Sequence, residues 1–408
     1  MDVINVVSLA LYAGCRFLVY VVVLIGHRFY LHPLSKYPGP AVAKLPDAYA
    51  GIYTLFGCLH LRTYLDLLQY GPVLRAGPNK LVFKSIEALR DIYNNDRVTK
   101  SHVYRLTVAS GKPSLFNIID RRHHREKRKL IGHAISDKSL RAFEPTLVEQ
   151  IDIFLRQLLV ASRQPRPVEL VVTAALFFYL SRYPEAYRKL AQETRAAFQN
   201  GSEIRSGPQL HGCRYLRACI DEALRMTPPV AGTLWREPYA NEFREEPFVV
   251  DGHVIPPGTQ VGVSIYAIHH EPEYFPKPFL FRPEHWLESD PETLKRMNLA
   301  FCPFSTGPRG CAGKSTDICC LIGSRLTKYS SVAYMESSLV IAKTLWYFDF
   351  KIADGDVGRS GEGRAGRTDG RGRVDEFQIW DSFWSTHLGP NLVFEPRGEL
   401  WREIEMKA

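Results

Sequence analysis

Phe304-Ser305-Thr306-Gly307-Pro308-Arg309-Gly310-Cys311-Ala312-Gly313 sets one cysteine in a glycine-dense loop, two residues after an arginine. Taken as a metal-ligand loop, each part has a task. A thiolate bound to buried iron needs a backbone that comes close and aims N–H groups at the sulfur, and Gly307, Gly310 and Gly313 remove the Cβ atoms that would prevent it. Arg309 can offer a charge-assisted, two-pronged contact to a cofactor carboxylate. Phe304 is placed to cover the sulfur from water. The competing reading is a buried free thiol beside a turn.

The decapeptide resembles the haem-binding loop of the cytochrome P-450 monooxygenases, whose pattern is Phe, two residues, Gly, one, Arg, one, Cys, one, Gly. Every fixed position is matched. The resemblance extends over most of the chain and is to the membrane-bound fungal type. It implies a mainly α fold with small β-sheets (α+β), and haem b (iron protoporphyrin IX) as cofactor. Cys311 would be the axial thiolate, a ligand that pushes electron density onto iron and favours O–O cleavage. Arg309, Phe304, Gly307 and Gly313 would complete the cofactor loop.

Two further constellations take meaning from that resemblance. The run Arg121-Arg122-His123-His124-Arg125-Glu126-Lys127-Arg128-Lys129 reads by default as a solvated helical face. Within it His124 and Arg128, one turn apart, resemble the family's Trp-or-His, three residues, Arg element, which holds a haem propionate. The surplus positive charge would suit an acidic electron donor, implied to be an NADPH-dependent flavoprotein reductase. Glu222-Ala223-Leu224-Arg225 puts a carboxylate and a guanidinium on one helical face. With Phe281-Arg282-Pro283-Glu284-His285-Trp286 it is similar to the family's structural lock beneath the haem. His285 stands where the family has arginine; a neutral imidazole can hydrogen-bond Glu222 but brings no permanent charge.

The sequence departs from the family in two places. No Ala-or-Gly, Gly, any, Asp-or-Glu, Thr string exists to deliver the two protons that bound dioxygen needs before the O–O bond breaks. Pro167 to Leu170 looks like an early element, and Val171 to Pro184 like the end of the helix that should carry that string. Several central helices are therefore expected to be missing near 170/171, and with them the pocket roof. Thr173 is the only nearby hydroxyl, and no residue is identified for the proton relay. Thr316 to Ser331, with Cys319 and Cys320, is an extra segment between the ligand loop and a helix expected over Ala333 to Leu345, with Met335, Leu339 and Ala342 on one face. One reading of the insert is a metal or redox site formed by Cys319 and Cys320; the other is an unspliced or mispredicted segment, which would also account for the deletion.

Elsewhere the residues speak for themselves. In 408 residues, 45% hydrophobic and 23% charged, disordered, collagen-like and polytopic membrane classes are excluded. The excess of 52 Lys and Arg over 43 Asp and Glu, +9, favours acidic partners or an anionic membrane surface but makes no case for nucleic acid. Eight cysteines without a CxxC pair fit reduced thiols facing the cytosol. Val3 to Ile25 is almost wholly apolar, with one charge at Arg16, and is long enough to cross a core of about 30 Å. His27, Arg28, His32 and Lys36 follow it and favour a cytoplasmic body; the alternative is a buried core helix. The expected organisation is an anchor over 1–28, a stiff proline-rich hinge over 29–44 holding Tyr37-Pro38-Gly39-Pro40, and a haem-binding domain over 45–408. Other expectations are a helix over Pro145 to Val160, the end of a buried helix at Val171 to Leu180 with Pro184 opening the next, strands at Val254–Ile255 and Val261–Ile265 joined by a turn at Gly258, and a solvated loop over Gly355 to Arg373. Together these imply a single-pass monooxygenase of the endoplasmic reticulum membrane, oxidising an apolar small molecule in fungal secondary metabolism with O2 and NADPH-derived electrons. The alternative is a catalytically inactive, truncated haem-binding or membrane-anchored remnant.

Overall fold

A computed structural model describes residues 3–108, 111–164, 166–171, 173–239, 246–313 and 332–406. The apolar start is one helix, α1 (Val3–Gly26). Residues 11–31 are long and apolar enough to cross a membrane, and none of them is buried. A core helix would bury one stripe; this one exposes Leu11, Phe17, Leu18, Tyr20 and Val23 around its whole circumference.

Two helices, α2 (Ala48–Leu55) and α3 (Leu59–Tyr70), lead into strands β1 (Val73–Gly77) and β2 (Lys80–Phe83). Helix α4 (Ile86–Tyr93) starts where the Ser85 hydroxyl accepts the Ala88 N–H. Strand β3 (Val98–Lys100) precedes α5 (Arg121–Ala134), α6 (Asp137–Arg163), the two-residue β4 (Val168–Glu169), α7 (Ala174–Arg182), α8 (Pro184–Ala197), α9 (Pro208–Gly212) and α10 (Arg214–Met226). Four short strands follow: β5 (Arg236–Pro238), β6 (Val249–Val250), β7 (His253–Val254) and β8 (Gln260–Val263). Next come α11 (Ile265–His269), α12 (His285–Glu288), α13 (Pro291–Ala300) and α14 (Val332–Tyr347), then β9 (Phe348–Ile352), β10 (Ile379–Ser382), β11 (Trp384–His387) and β12 (Asn391–Pro396).

The strands form a five-stranded sheet in the order β1-β2-β8-β5-β3, a three-stranded sheet β4-β12-β9, and the pairs β10-β11 and β6-β7. Helices dominate, as the sequence predicts. The larger core cluster joins α6, α7, α8, α10 and α14 through Leu155, Leu158, Phe177, Leu190, Leu216, Leu339 and Leu345. A second cluster lies between the five-stranded sheet, α4 and α13.

Most expected elements are present, with corrections. Helix α6 begins at Asp137, where the Ser136 hydroxyl accepts the Ser139 N–H, and runs through Pro145. The proline read as a start is an interior residue, and Leu147, Ile151, Leu155 and Leu158 are buried as the period predicts. Pro184 is the first residue of α8, the position where a missing N–H costs nothing. Gly258 has the positive φ (+76°) expected of the turn, yet the flanking strands do not pair with each other. β7 pairs with β6, β8 lies parallel to β2, and Ile265 opens a helix. The Gly- and Arg-rich segment is not wholly solvated either, since Arg371 is buried and donates to the carbonyls of Gly57 and Ile379. Residues 316–331, read as an insert, lie outside the described residues.

Candidate functional site

The ligand loop is a tight turn fastened to its surroundings by backbone contacts. The Ser305 N–H donates to Cys302 O (2.9 Å), Gly310 N–H to Gly307 O (3.0 Å) and Cys311 N–H to Phe304 O (2.9 Å). Gly307 has φ +71°, and a Cβ there would stand 1.9 Å from Tyr93 O, so α4 abuts the loop as closely as a backbone can. A Cβ on Gly313 would lie 3.7 Å from Cys311 Sγ. Cys311 is exposed, whereas Cys213, Cys219 and Cys302 are buried. Phe304 turns its ring toward α14, 5.7 Å from that of Tyr334. The side-chain oxygens of Ser305 and Thr306 are buried and have no partner.

Cations converge beside this loop. On α5, whose N-terminus is capped by Asp120 accepting the His123 N–H (2.7 Å), only His124 is buried. Arg128, one turn on, donates to Gly310 O (2.5 Å) and to Cys311 O (3.4 Å). Arg309 donates to Ile118 O (3.0 Å) and Ile119 O (2.9 Å). The sequence reading missed two members of the cluster, Lys100 on β3 and Arg236 on β5, which are directly opposite in the strand pair and both buried. Each is a lone cation in a short strand, and nothing in the sequence marks it. Burial first, then the neighbouring Arg309, Lys100, Arg128 and Arg236, push His124 down to about 3, so its ring is neutral at physiological pH. Among the described residues no carboxylate pairs with Lys100, His124, Arg128, Arg236 or Arg309. Buried positive charge without a counter-ion is costly, and a ligand bearing carboxylates would balance it.

Glu222 and Arg225 on α10 are fully buried and form a two-pronged ion pair (2.9 Å for both contacts). Arg225 also donates to His269 O and Pro278 O, tying α10 to α11 and to the segment before α12. Burial opposes the charge on Glu222, but Arg225, with His285 nearby, holds the carboxyl down to about 2. The hydrogen bond expected from His285 is absent. Its Nδ1 lies 3.6 Å from Glu222 and neither ring nitrogen has a partner. Its neighbour Trp286 donates its indole N–H to Glu222 at 3.0 Å, and the Arg282 N–H adds 3.1 Å.

Thr173 caps the start of α7 in a left-handed conformation (φ +52°) and accepts no cap bond through its side chain. It lies three positions after Leu170, whose N–H donates to Pro390 O at the end of the three-stranded sheet. Thr173 thus belongs to the β4–β12 edge, while the ligand loop rests against Tyr93 and α5.

Comparison with known proteins bears on the same residues. The family described as Cytochrome P450 matches residues 170–365, a span that begins at the β4–α7 junction and contains the Glu222 ion pair, the ligand loop and α14. Cytochrome P450 monooxygenase AKT7 of Alternaria alternata is 26% identical, covering 94% of this chain and 98% of the relative. The chain belongs to the cytochrome P450 family. A cytochrome P450 monooxygenase of Gibberella zeae is 35% identical over 67% of this chain and 57% of the relative, and cytochrome P450 monooxygenase apf8 of Gibberella fujikuroi is 38% identical over 55% of each. The alignment with AKT7 runs over 533 positions against a chain of 408 residues, so at least 125 positions of the relative have no counterpart here. As a P450 the chain is a haem-dependent monooxygenase by family, and the converging cations and the glycine-lined cysteine loop suit that cofactor.

Proposed function

We propose that this P450 holds haem b through the Cys311 thiolate and oxidises an apolar small molecule in fungal secondary metabolism. The observation that carries this reading is the cluster of Lys100, Arg128, Arg236 and Arg309 beside the Cys311 loop, four cations without a carboxylate among the described residues. Arg309, Arg128 and His124 would hold the haem carboxylates, His124 as a neutral donor. Gly307 and Gly313 let the loop backbone approach the sulfur, and Arg128 fixes the carbonyls on either side of the ligand. The Glu222–Arg225 pair, closed by Trp286, holds the floor rigid. When bound, haem supplies dioxygen activation, with one oxygen atom going to substrate and the other leaving as water at the expense of two NADPH-derived electrons.

The outer face of α5 exposes Arg122, His123, Arg125 and Lys129, which supports docking of an acidic flavoprotein reductase. We assign residues 1–28 as a single-pass anchor in the endoplasmic reticulum membrane with the body in the cytoplasm, 29–44 as a hinge and 45–408 as the haem domain. The hinge is fastened rather than loose. Tyr37 is buried, Arg75 N–H donates to Pro38 O (2.8 Å), and a Cβ on Gly39 would stand 2.5 Å from Arg75 O.

A reduced, carbon monoxide-treated sample should give the thiolate-haem absorption band, and Cys311→Ala should abolish it. No band, or one that survives the substitution, overturns the ligand assignment. A second reading, a haem-binding remnant without oxygenase activity, is favoured by the direct join of β4 to α7 and by the relatives' additional positions. NADPH and reductase distinguish the two readings, since the remnant holds haem and oxygenates nothing.

A further inference from the structure

Lys100 is an unusual member of the cation cluster. It sits at 4% exposure directly opposite Arg236 across the β3–β5 pair, an arrangement in which like charges repel at close range. Its ammonium donates to Leu115 O (3.1 Å) and Phe116 O and lies over the rings of Tyr104 (5.5 Å) and Phe116 (5.4 Å). Arg236 donates to Tyr104 Oη (3.3 Å) and Trp235 O (3.0 Å). Arg309 from the ligand loop and Arg128 and His124 from α5 complete the surroundings, and none of these groups is an acid. An arginine in such company stays charged; a lysine can shed its proton instead. Burial, then Arg236, Arg309 and Arg128, bring the Lys100 amine down to about 7.

We propose that Lys100 is a positioning residue for a haem carboxylate and that haem binding is linked to proton uptake at its Nζ. The proposal rests on the haem reading given above. A neutral amine plus one proton from solvent becomes an ammonium, whose charge the incoming carboxylate stabilises; no other bond is made or broken. His124 takes no part in this linkage above about pH 5, because its ring is neutral throughout that range. Binding of the Cys311 sulfur to iron would release the thiol proton to solvent in wild type and variants alike, so the Lys100 contribution is isolated as a difference between wild type and a Lys100 variant.

The test is a haem titration of the full-length, haem-free protein, read by absorbance between pH 6 and 9, alongside Lys100→Met and Lys100→Arg. Circular dichroism melts of all three check that each variant is folded. At pH 6 wild type should bind haem about tenfold more tightly than Lys100→Met. That advantage should shrink by up to about tenfold per pH unit above about pH 7. Lys100→Arg should keep the advantage to pH 9. Calorimetry in buffers of different ionisation heat should show wild type taking up about half a proton more than either variant near pH 7.5, falling toward zero by about pH 9. A wild-type to Lys100→Met affinity ratio of one, or one that does not change with pH, overturns the proposal and leaves the thiolate-haem reading intact. Failure of wild type to bind haem at any pH overturns both.

Discussion

Glu376 stands against α11 with Tyr266 donating to its Oε1 and Arg373 3.5 Å from its Oε2, at 3% exposure. Burial raises this carboxyl to about 7, with Tyr266 and Arg373 only partly opposing. The folded protein therefore binds the proton more tightly than the unfolded chain. The stability this contributes is complete below about pH 4.5 and lost as pH rises through about 7, a swing of about 3 kcal/mol. Urea unfolding at a series of pH values should show Glu376→Gln losing that slope relative to wild type while still accepting from Tyr266. A second residue-scale test concerns the lock. Trp286→Phe should cost about 1 to 2 kcal/mol, because Glu222 loses a buried donor. His285→Leu should be neutral or slightly stabilising, since both imidazole nitrogens are buried and unpartnered. Equal losses in denaturant melts of the two variants would reverse this assignment. The sequence placed Glu222 and Arg225 together correctly, because a spacing of three fixes two side chains on one helical face. It could not choose between His285 and Trp286, adjacent residues whose reach depends on how α12 meets α10.

Elements show the same division. Helix α5 was legible as the carrier of His124 and Arg128, and burial of His124 alone follows from a face otherwise made of charges. Its position against the ligand loop depends on the start being held, which makes Asp120→Ala informative. Loss of this cap should cost about 1 kcal/mol in thermal unfolding and lower the haem retained after purification, without touching a cofactor contact. Strands were less legible. Val254 and Val261 were each expected in strands, but partners were misassigned because a parallel neighbour such as β2, some 180 residues earlier, leaves no mark in a local pattern. Lys100 and Arg236 were missed for the same reason: each is unremarkable in sequence, and only the β3–β5 register brings them face to face.

At the scale of the whole molecule, α1 is an exposed apolar helix and the body has its own buried core, which makes the proposed division into anchor and haem domain testable. A chain starting at residue 29 should leave the membrane fraction on salt or alkaline washing, while the full chain should require detergent; co-fractionation of both would argue that the body has its own membrane contact. The family and the candidate ligand loop were legible in the sequence alone. A thiolate loop needs glycines and an arginine at fixed offsets, and an anchor needs an apolar run of fixed length, and both are local constraints that the order of residues records. The cation cradle, the donor that closes the Glu222 lock and the buried acid at Glu376 were decided only by tertiary structure. Each depends on desolvation and on charges brought together from distant segments, and the energy of a charge in a low-dielectric interior is set by what surrounds it, not by its neighbours along the chain.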